Sequence, residues 1–192
     1  MLTYFSRSRA VLAIGLAVLA AASAVGPTSA AGRVADRVVT VVPTFQPDAR
    51  IRRVGRATLH GNDIYNADGT NQDVVGALDH GDAYVRYVIS IQNDGSAPDS
   101  FTVRDVSGGR LGFQVSYGRG WPGTDVTAAV LDGTFTTPRL QPGGVYRIRL
   151  VVYVNPSVAT PGITNLVTVT SRHAPSMVDA VRYSVSCGNC YE

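Results

Sequence analysis

Lysine is absent from this 192-residue chain, and glutamate occurs once, at Glu192. Two strong helix formers are therefore almost missing, while Val, Thr, Gly and Asp are plentiful, which argues for strands and turns and against a helical bundle. No apolar run reaches the eighteen or more residues expected of a spanning helix. The basic excess is too small to mark a nucleic-acid-binding surface: the formal net charge is +3, and it falls to +1 once Arg7 and Arg9 are removed with an export signal. Also missing are G-x-S-x-G, H-E-x-x-H and a phosphate-binding loop. The three histidines, His60, His80 and His173, are scattered in turn-like contexts beside Gly or Ala-Pro. Asp79 and Asp82 stand at a strand start, where such pairs are usually solvated. No enzyme and no cofactor is expected.

What is present begins with a tripartite N-terminus. Arg7 and Arg9 precede the apolar stretch "VLAIGLAVLAAASA", and small residues in "PTSAAG" offer cleavage after Ala30 or Ala31, with "ASA" at residues 22 to 24 as an earlier option. Ser8 separates the two arginines, so a twin-arginine signal is not supported, and no cysteine stands nearby to carry a lipid. Residues 1–31 are thus read as a secretory signal peptide. Residues 32–48 are read as an N-terminal arm with an edge strand over Val38 to Val42, the "VVTVV" segment, which offers a route to self-association.

From Ala49 onward short strands follow one another. Val85, Tyr87, Ile89 and Ile91 alternate with Arg86, Ser90 and Gln92. Phe101 and Val103 share a face, as do Phe113, Val115 and Tyr117. In the longest run Tyr146, Ile148, Leu150, Val152 and Val154 point one way, and Arg147 and Arg149 the other. "TNLVTVTS" and "VDAVRYSVS" close the series, with Val181, Tyr183 and Val185 on one face. Gly- and Pro-rich turns separate these runs, "TDVTAAV" (124–130) is the one candidate helical turn, and no internal repeat is found. The reading is all-β: an antiparallel, Ig-like β-sandwich of about seven to nine strands over residues 49–186, followed by a C-x-x-C tail at 187–192.

Certain runs carry a resemblance. "VISIQNDGSAPDSFTV" resembles the strand–turn–strand signature V-x-V-x-N-x-G-x-x-x-D-x-F-x-V of bacterial Ig-like modules, among them the cell-adhesion-related repeats and the module attached to some α-galactosidases. "TPRLQPGGVYRIRLVVYVNPSVATPG" resembles the next part of that pattern, a proline–glycine turn, a long strand and then P-x-x-A-x-x-G. The resemblance covers about residues 49 to 186. It implies the fold, and it implies a spacer, adhesin or accessory role, with no particular ligand.

Three places merit inspection as sites. In "HGNDIYNADGTNQD" (60–73) an EF-hand register that sets Gly69 at position 6 puts Ile64 at position 1 and finds no Glu at position 12. The stretch reads as a turn closed by Asp68-Gly69 after a short strand through Ile64 and Tyr65, with Asp63, Asp68 and Asp73 as weak candidates for a non-standard calcium site. Cys187 and Cys190 lack the βαβ setting of a thioredoxin site, two further zinc ligands, and the His that haem attachment needs. In an exported protein a local disulfide is the expectation; a cross-link to another chain and a metal or redox role are the alternatives. "SYGRGWPGTD" holds the only tryptophan, and Tyr117, Arg119 and Trp121 form a candidate ligand loop, the alternative being that Trp121 caps the open end of the sandwich. The expected role is that of a non-catalytic module, secreted or at the cell surface. Its expected partners are a cell-wall glycan, another surface protein or its own copies, and not nucleic acid.

Overall fold

Alternation of period two drives one side chain in two out of water, and a strand of this kind needs a second sheet to cover that side. The structure, a computed structural model, describes residues 41–78, 83–110, 112–120, 123–155 and 162–187. Along the chain come β1 (Pro47–Arg53), β2 (Asp73–Leu78), β3 (Tyr84–Asn93), β4 (Phe101–Asp105), β5 (Phe113–Arg119), β6 (Thr124–Asp125), α1 (Thr127–Asp132), β7 (Phe135–Thr136), β8 (Val145–Val154), β9 (Gly162–Ser171) and β10 (Val178–Cys187). They form two five-stranded sheets, in the orders β1-β3-β8-β5-β6 and β2-β10-β9-β4-β7. Every pairing is antiparallel except β2 with β10, which is parallel. Strands β1, β3, β8 and β5 take the A, B, E and D places of an immunoglobulin-like sandwich, and β4, β9 and β10 take C, F and G.

The inward rows are those the alternation predicts. In the first sheet Val85 faces Val152, Tyr87 faces Leu150 and Ile89 faces Ile148, while Tyr117 faces Leu150 from the other side. In the second, Val103 faces Val169 and Val181 faces Val167. All of these side chains are buried, each contributing roughly 1.5–3 kcal/mol of apolar transfer. The Tyr87 and Tyr183 rings meet between the sheets, centroids 5.8 Å apart.

The described residues hold ten strands in the expected all-β sandwich; β6 and β7, two residues each, are too short to show a period, and Gly76 interrupts the apolar run of β2. Two expectations need correction. The edge strand expected over Val38–Val42 falls partly outside the described residues, and Val41 and Val42 are exposed and not in a strand; the first strand of the described residues begins at Pro47. No strand runs through Ile64 and Tyr65, because side chains take the backbone donors of this segment, as described below. In the turn after β3, Asn93, Asp94 and Gly95 all stay out of the left-handed region. There Gly95 is set by close approach: a Cβ would collide with the carbonyl oxygen of Thr44. Thr44 and Ser96 are cross-linked by hydrogen bonds of 2.9 and 3.0 Å, so this turn clamps the incoming chain onto the sandwich. The expected helical turn is α1, preceded by β6; its N-cap Val126 offers no side-chain cap, and the Thr127 N–H donates instead to Asp125 Oδ1 at 2.8 Å.

Candidate functional site

The two outer faces differ in chemistry. That of the second sheet carries mostly short neutral side chains, Thr102, Thr164, Thr168, Thr170 and Ser184, with Arg104 and Arg182 spaced among them. The outer face of the first sheet carries arginine. Register explains how five arginines from three strands come together: Arg50 pairs with Ser90 and Arg52 with Val88, and across β3 Ser90 pairs with Arg147, Val88 with Arg149 and Arg86 with Val151. With strands about 4.8 Å apart and same-face residues about 6.7 Å apart, Arg52, Arg86, Arg147 and Arg149 share a patch on the order of 10 Å across. Their aliphatic stems cover the sheet, which is why Val151, although on the outer side, is only 6% exposed.

A groove of about 500 Å³ crosses this patch, with the four guanidinium-bearing side chains as walls and Val54 and Val88 in its lining. A second depression of about 260 Å³ shares Arg86 and Arg149 with it and continues to Val151, Tyr84 and Tyr153. Tyr84 and Tyr153 are direct cross-strand partners. Their rings meet edge to face at 6.0 Å, and the Arg86 guanidinium lies over the Tyr84 ring at 5.4 Å. The Arg149 guanidinium lies across Gly118, where a Cβ would come within 2.7 Å of Nη2; the missing side chain on β5 gives it room.

The arginines differ in their partners. Arg50 is fully engaged: Nη1 donates to Asn62 Oδ1 at 2.8 Å, Nη2 to Gln92 Oε1 at 2.7 Å, and Nε stands 3.2 Å from Asp48 Oδ2, a pairing by charge without hydrogen-bond alignment. Arg52 donates to the Arg56 carbonyl at 3.3 Å. Among the described residues Arg52, Arg86 and Arg147 make no ion pair. Three guanidinium groups held this close without carboxylates repel one another, and an anion between them removes that repulsion.

The residues singled out from sequence are placed as follows. Tyr117 is fully buried on the inner face of β5 and donates to Asp105 Oδ2 at 2.7 Å, so it does not belong to a surface loop. Arg119 is exposed at the end of β5, and Trp121 lies outside the described residues; Gly120, between them, lines the arginine groove. Asp63 contacts Asn62 and Asp68 accepts from the Thr70 N–H at 2.9 Å, while Asp73 lines a separate depression with Arg53 and Arg56; the three do not converge. Cys187 ends β10, and Cys190 lies outside the described residues, as do His80, Asp79 and Asp82.

Asp99, Ser171 and His173 do meet, but both Ser171 Oγ and His173 Nδ1 bond to the Asp99 carboxylate, the latter at 2.6 Å. The serine hydroxyl therefore faces a carboxylate and not an imidazole base, unlike the Asp–His–Ser order of a hydrolase triad. His173 also stacks on Phe45 at 5.1 Å. Burial pushes Asp99 up, but the Ser171, His173 and Ser100 donors outweigh it and hold the carboxyl below its usual value.

Sequence reasoning missed two buried carboxylate clusters. Asp105 accepts from the Tyr117 and Tyr183 hydroxyls at 2.7 and 2.8 Å and thereby ties the two sheets together. Burial, with the Asp105 charge alongside, pushes both phenols far up. Asp48 and Asp179 hold the 60–72 segment. Asp179 accepts from the backbone N–H of Ala49 at 2.6 Å, of Asn66 at 3.1 Å and of Ala180 at 2.8 Å, and from Gln72 Nε2 at 2.8 Å. Asp48 accepts from the Asp63 N–H at 3.2 Å. Burial pushes Asp48 up to about 7, with Asp94 and Asp179 adding to the rise and Arg50 opposing it. Asp179 is also raised by burial, against its four donors.

No family model matches this sequence, and no curated protein matches it. Among solved structures, a FixG-related protein from Vibrio parahaemolyticus is similar at 10% identity over 74% of this chain and 97% of its own, with a TM-score of 0.40. The PapD-like domain 7 of human CEP192 is similar at 10% identity over 86% and 99%, TM-score 0.38. A family 123 glycoside hydrolase from Clostridium perfringens is similar at 10% identity over 74% of this chain and 27% of its own, TM-score 0.42. Likeness at this level carries no information on function.

Proposed function

We propose that this chain is a non-catalytic interaction module that acts outside the cell and holds an anionic partner on the outer face of its first sheet. The observation that carries the reading is the convergence of Arg52, Arg86 and Arg147 around one groove without an ion-pair partner among the described residues. Arginine suits the task, because its planar fork meets carboxylate, phosphate or sulfate in two parallel hydrogen bonds and its stem packs on valine. The export signal pattern of residues 1–31 and the spacing of Cys187 and Cys190 support the extracellular setting. The location and the local disulfide are part of the same proposal.

Native gels cast with dextran sulfate, poly-glutamate or polygalacturonate test it. Retardation of the folded protein by at least one of these polymers, weakening as salt rises, is expected. The combined Arg52→Ala, Arg86→Ala and Arg147→Ala variant should run as it does in a polymer-free gel while keeping its melting transition. Equal retardation of wild type and folded triple variant would end the reading.

A further inference from the structure

We propose that the occupant of the arginine groove is an acidic polysaccharide, its carboxylates paired with Arg52, Arg86 and Arg147 and its sugar rings seated on the valine floor and the Tyr84–Tyr153 pair. This inference rests on the anion-binding reading above and narrows it to one class of ligand.

Shape comes first. The groove and the adjoining depression share Arg86 and Arg149, so together they make one strip along β3 and β8. From Arg147 to Tyr153 it runs six residues of strand, about 20 Å. It is open along its length, which suits an extended polymer.

The second argument is charge density. Residues 41–192 hold thirteen arginines against twelve aspartates and one glutamate, so the positive charge of the strip is local and the region as a whole is neutral. Nucleic acid carries a charge on every nucleotide and is drawn by a basic domain. Here it would also run against Asp94, which lies beside Gln92 at one end of the face, and against Asp125, paired with Gly118 on the flank. A polymer with one carboxylate per sugar, and neutral hydroxyls between, matches a few fixed guanidinium groups in a neutral frame.

The third is the aromatic pair. Tyr84 and Tyr153 are 45% and 44% exposed, directly beside the cationic strip, where large apolar side chains would otherwise be buried. Sugar C–H bonds bear partial positive charge and are attracted to the negative face of a phenol ring, while the hydroxyl tip bonds to the sugar's own hydroxyls. A poly-glutamate chain would gain from the arginines but brings no rigid ring to seat on the pair.

The test uses calorimetry on the full folded chain with four probes: short oligomers of polygalacturonate and of alginate, poly-glutamate, and a twenty-nucleotide oligothymidylate. At least one polyuronate should bind more tightly than poly-glutamate and the oligothymidylate at equal charge concentration. Tyr153→Ala should weaken that polyuronate tenfold or more, with poly-glutamate retardation in gels unchanged. Arg147→Ala should weaken both. Failure of both polyuronates to bind, while poly-glutamate or oligothymidylate binding is lost with Arg147→Ala, would overturn the polysaccharide and leave the anion-binding face intact. Tyr153→Ala without effect on polyuronate binding would overturn the ring-seating. Indifference of every probe to Arg147→Ala would remove both readings. A melting curve for each variant separates lost binding from lost fold.

Discussion

Asp48 is the residue at which position and protonation are most tightly linked. Its side chain has no solvent exposure, and its carboxyl is raised to about 7 from an ordinary 3.8, chiefly by burial. Between those values the folded protein holds a proton that the unfolded chain has released, so stability falls as pH rises toward 7. The contribution is fully present below the unfolded value and is lost as pH passes the folded one. Asp179, raised from the same cause, acts in the same sense, whereas Asp99, held low, contributes in the opposite sense and only below about pH 4. The melting temperature should therefore be higher at pH 5 than at pH 8. The Asp48 part is on the order of 2 kcal/mol once relaxation of the site is allowed for, or ~5 °C for a chain of this size. Asp48→Asn keeps an acceptor for the Asp63 N–H and cannot ionise, so its melting temperature should vary much less over the same range. A wild-type melting temperature that rises from pH 5 to pH 8 would contradict the account.

At the scale of elements, the segment from His60 to Gln72 shows how structure forms without a periodic signal. It has no strand, yet Gly61, Gly69 and Gln72 are buried, and Asp63 and Asn71 adopt left-handed backbone angles. Its order comes from Asp179 on β10, which reaches the Asn66 N–H and Gln72 Nε2 from more than a hundred residues away. Asp179→Ala should release this segment first: amide exchange at Asn66 should quicken at least tenfold, with exchange in β8 and β9 unchanged until global unfolding. The long strands β3, β5, β8 and β10 were legible, because in each an apolar residue recurs at every second position and one face must be buried. β2 and the 60–72 segment were not, since one is interrupted by Gly76 and the other is shaped by partners distant in sequence. The site was half legible. Alternation put Arg147 and Arg149 on the outer side of one strand, but only the β1–β3–β8 register brings Arg52 and Arg86 beside them. For Tyr117, strand parity gave the correct inward direction, and its neighbourhood to Trp121 gave the wrong one.

Over the whole molecule the distribution of charge matters more than its sum. Residues 41–192 balance thirteen arginines with thirteen acids, so general repulsion is absent and salt should change stability little on that ground. The arginine face is the exception, because the register sets Arg52, Arg86 and Arg147 about 8–14 Å from one another. That is well inside a Debye length of about 30 Å at 0.01 M salt and comparable to the 10 Å at 0.1 M. Screening should relieve local repulsion in the folded state more than in the open chain, where the same residues are far apart. The expected outcome is a melting temperature that rises by ~1–3 °C between 0.01 and 0.2 M sodium chloride, a scale of less than 1 kcal/mol for exposed charges. The same rise should be nearly absent in the Arg52→Ala, Arg86→Ala and Arg147→Ala variant. Sulfate at equal ionic strength also strengthens apolar burial generally, so the informative quantity is the difference between wild type and the triple variant in each salt. A larger difference in sulfate than in chloride would mean that a divalent anion occupies the groove. A salt response shared equally by both proteins would place the repulsion elsewhere and leave the arginine face electrostatically relaxed in the free molecule.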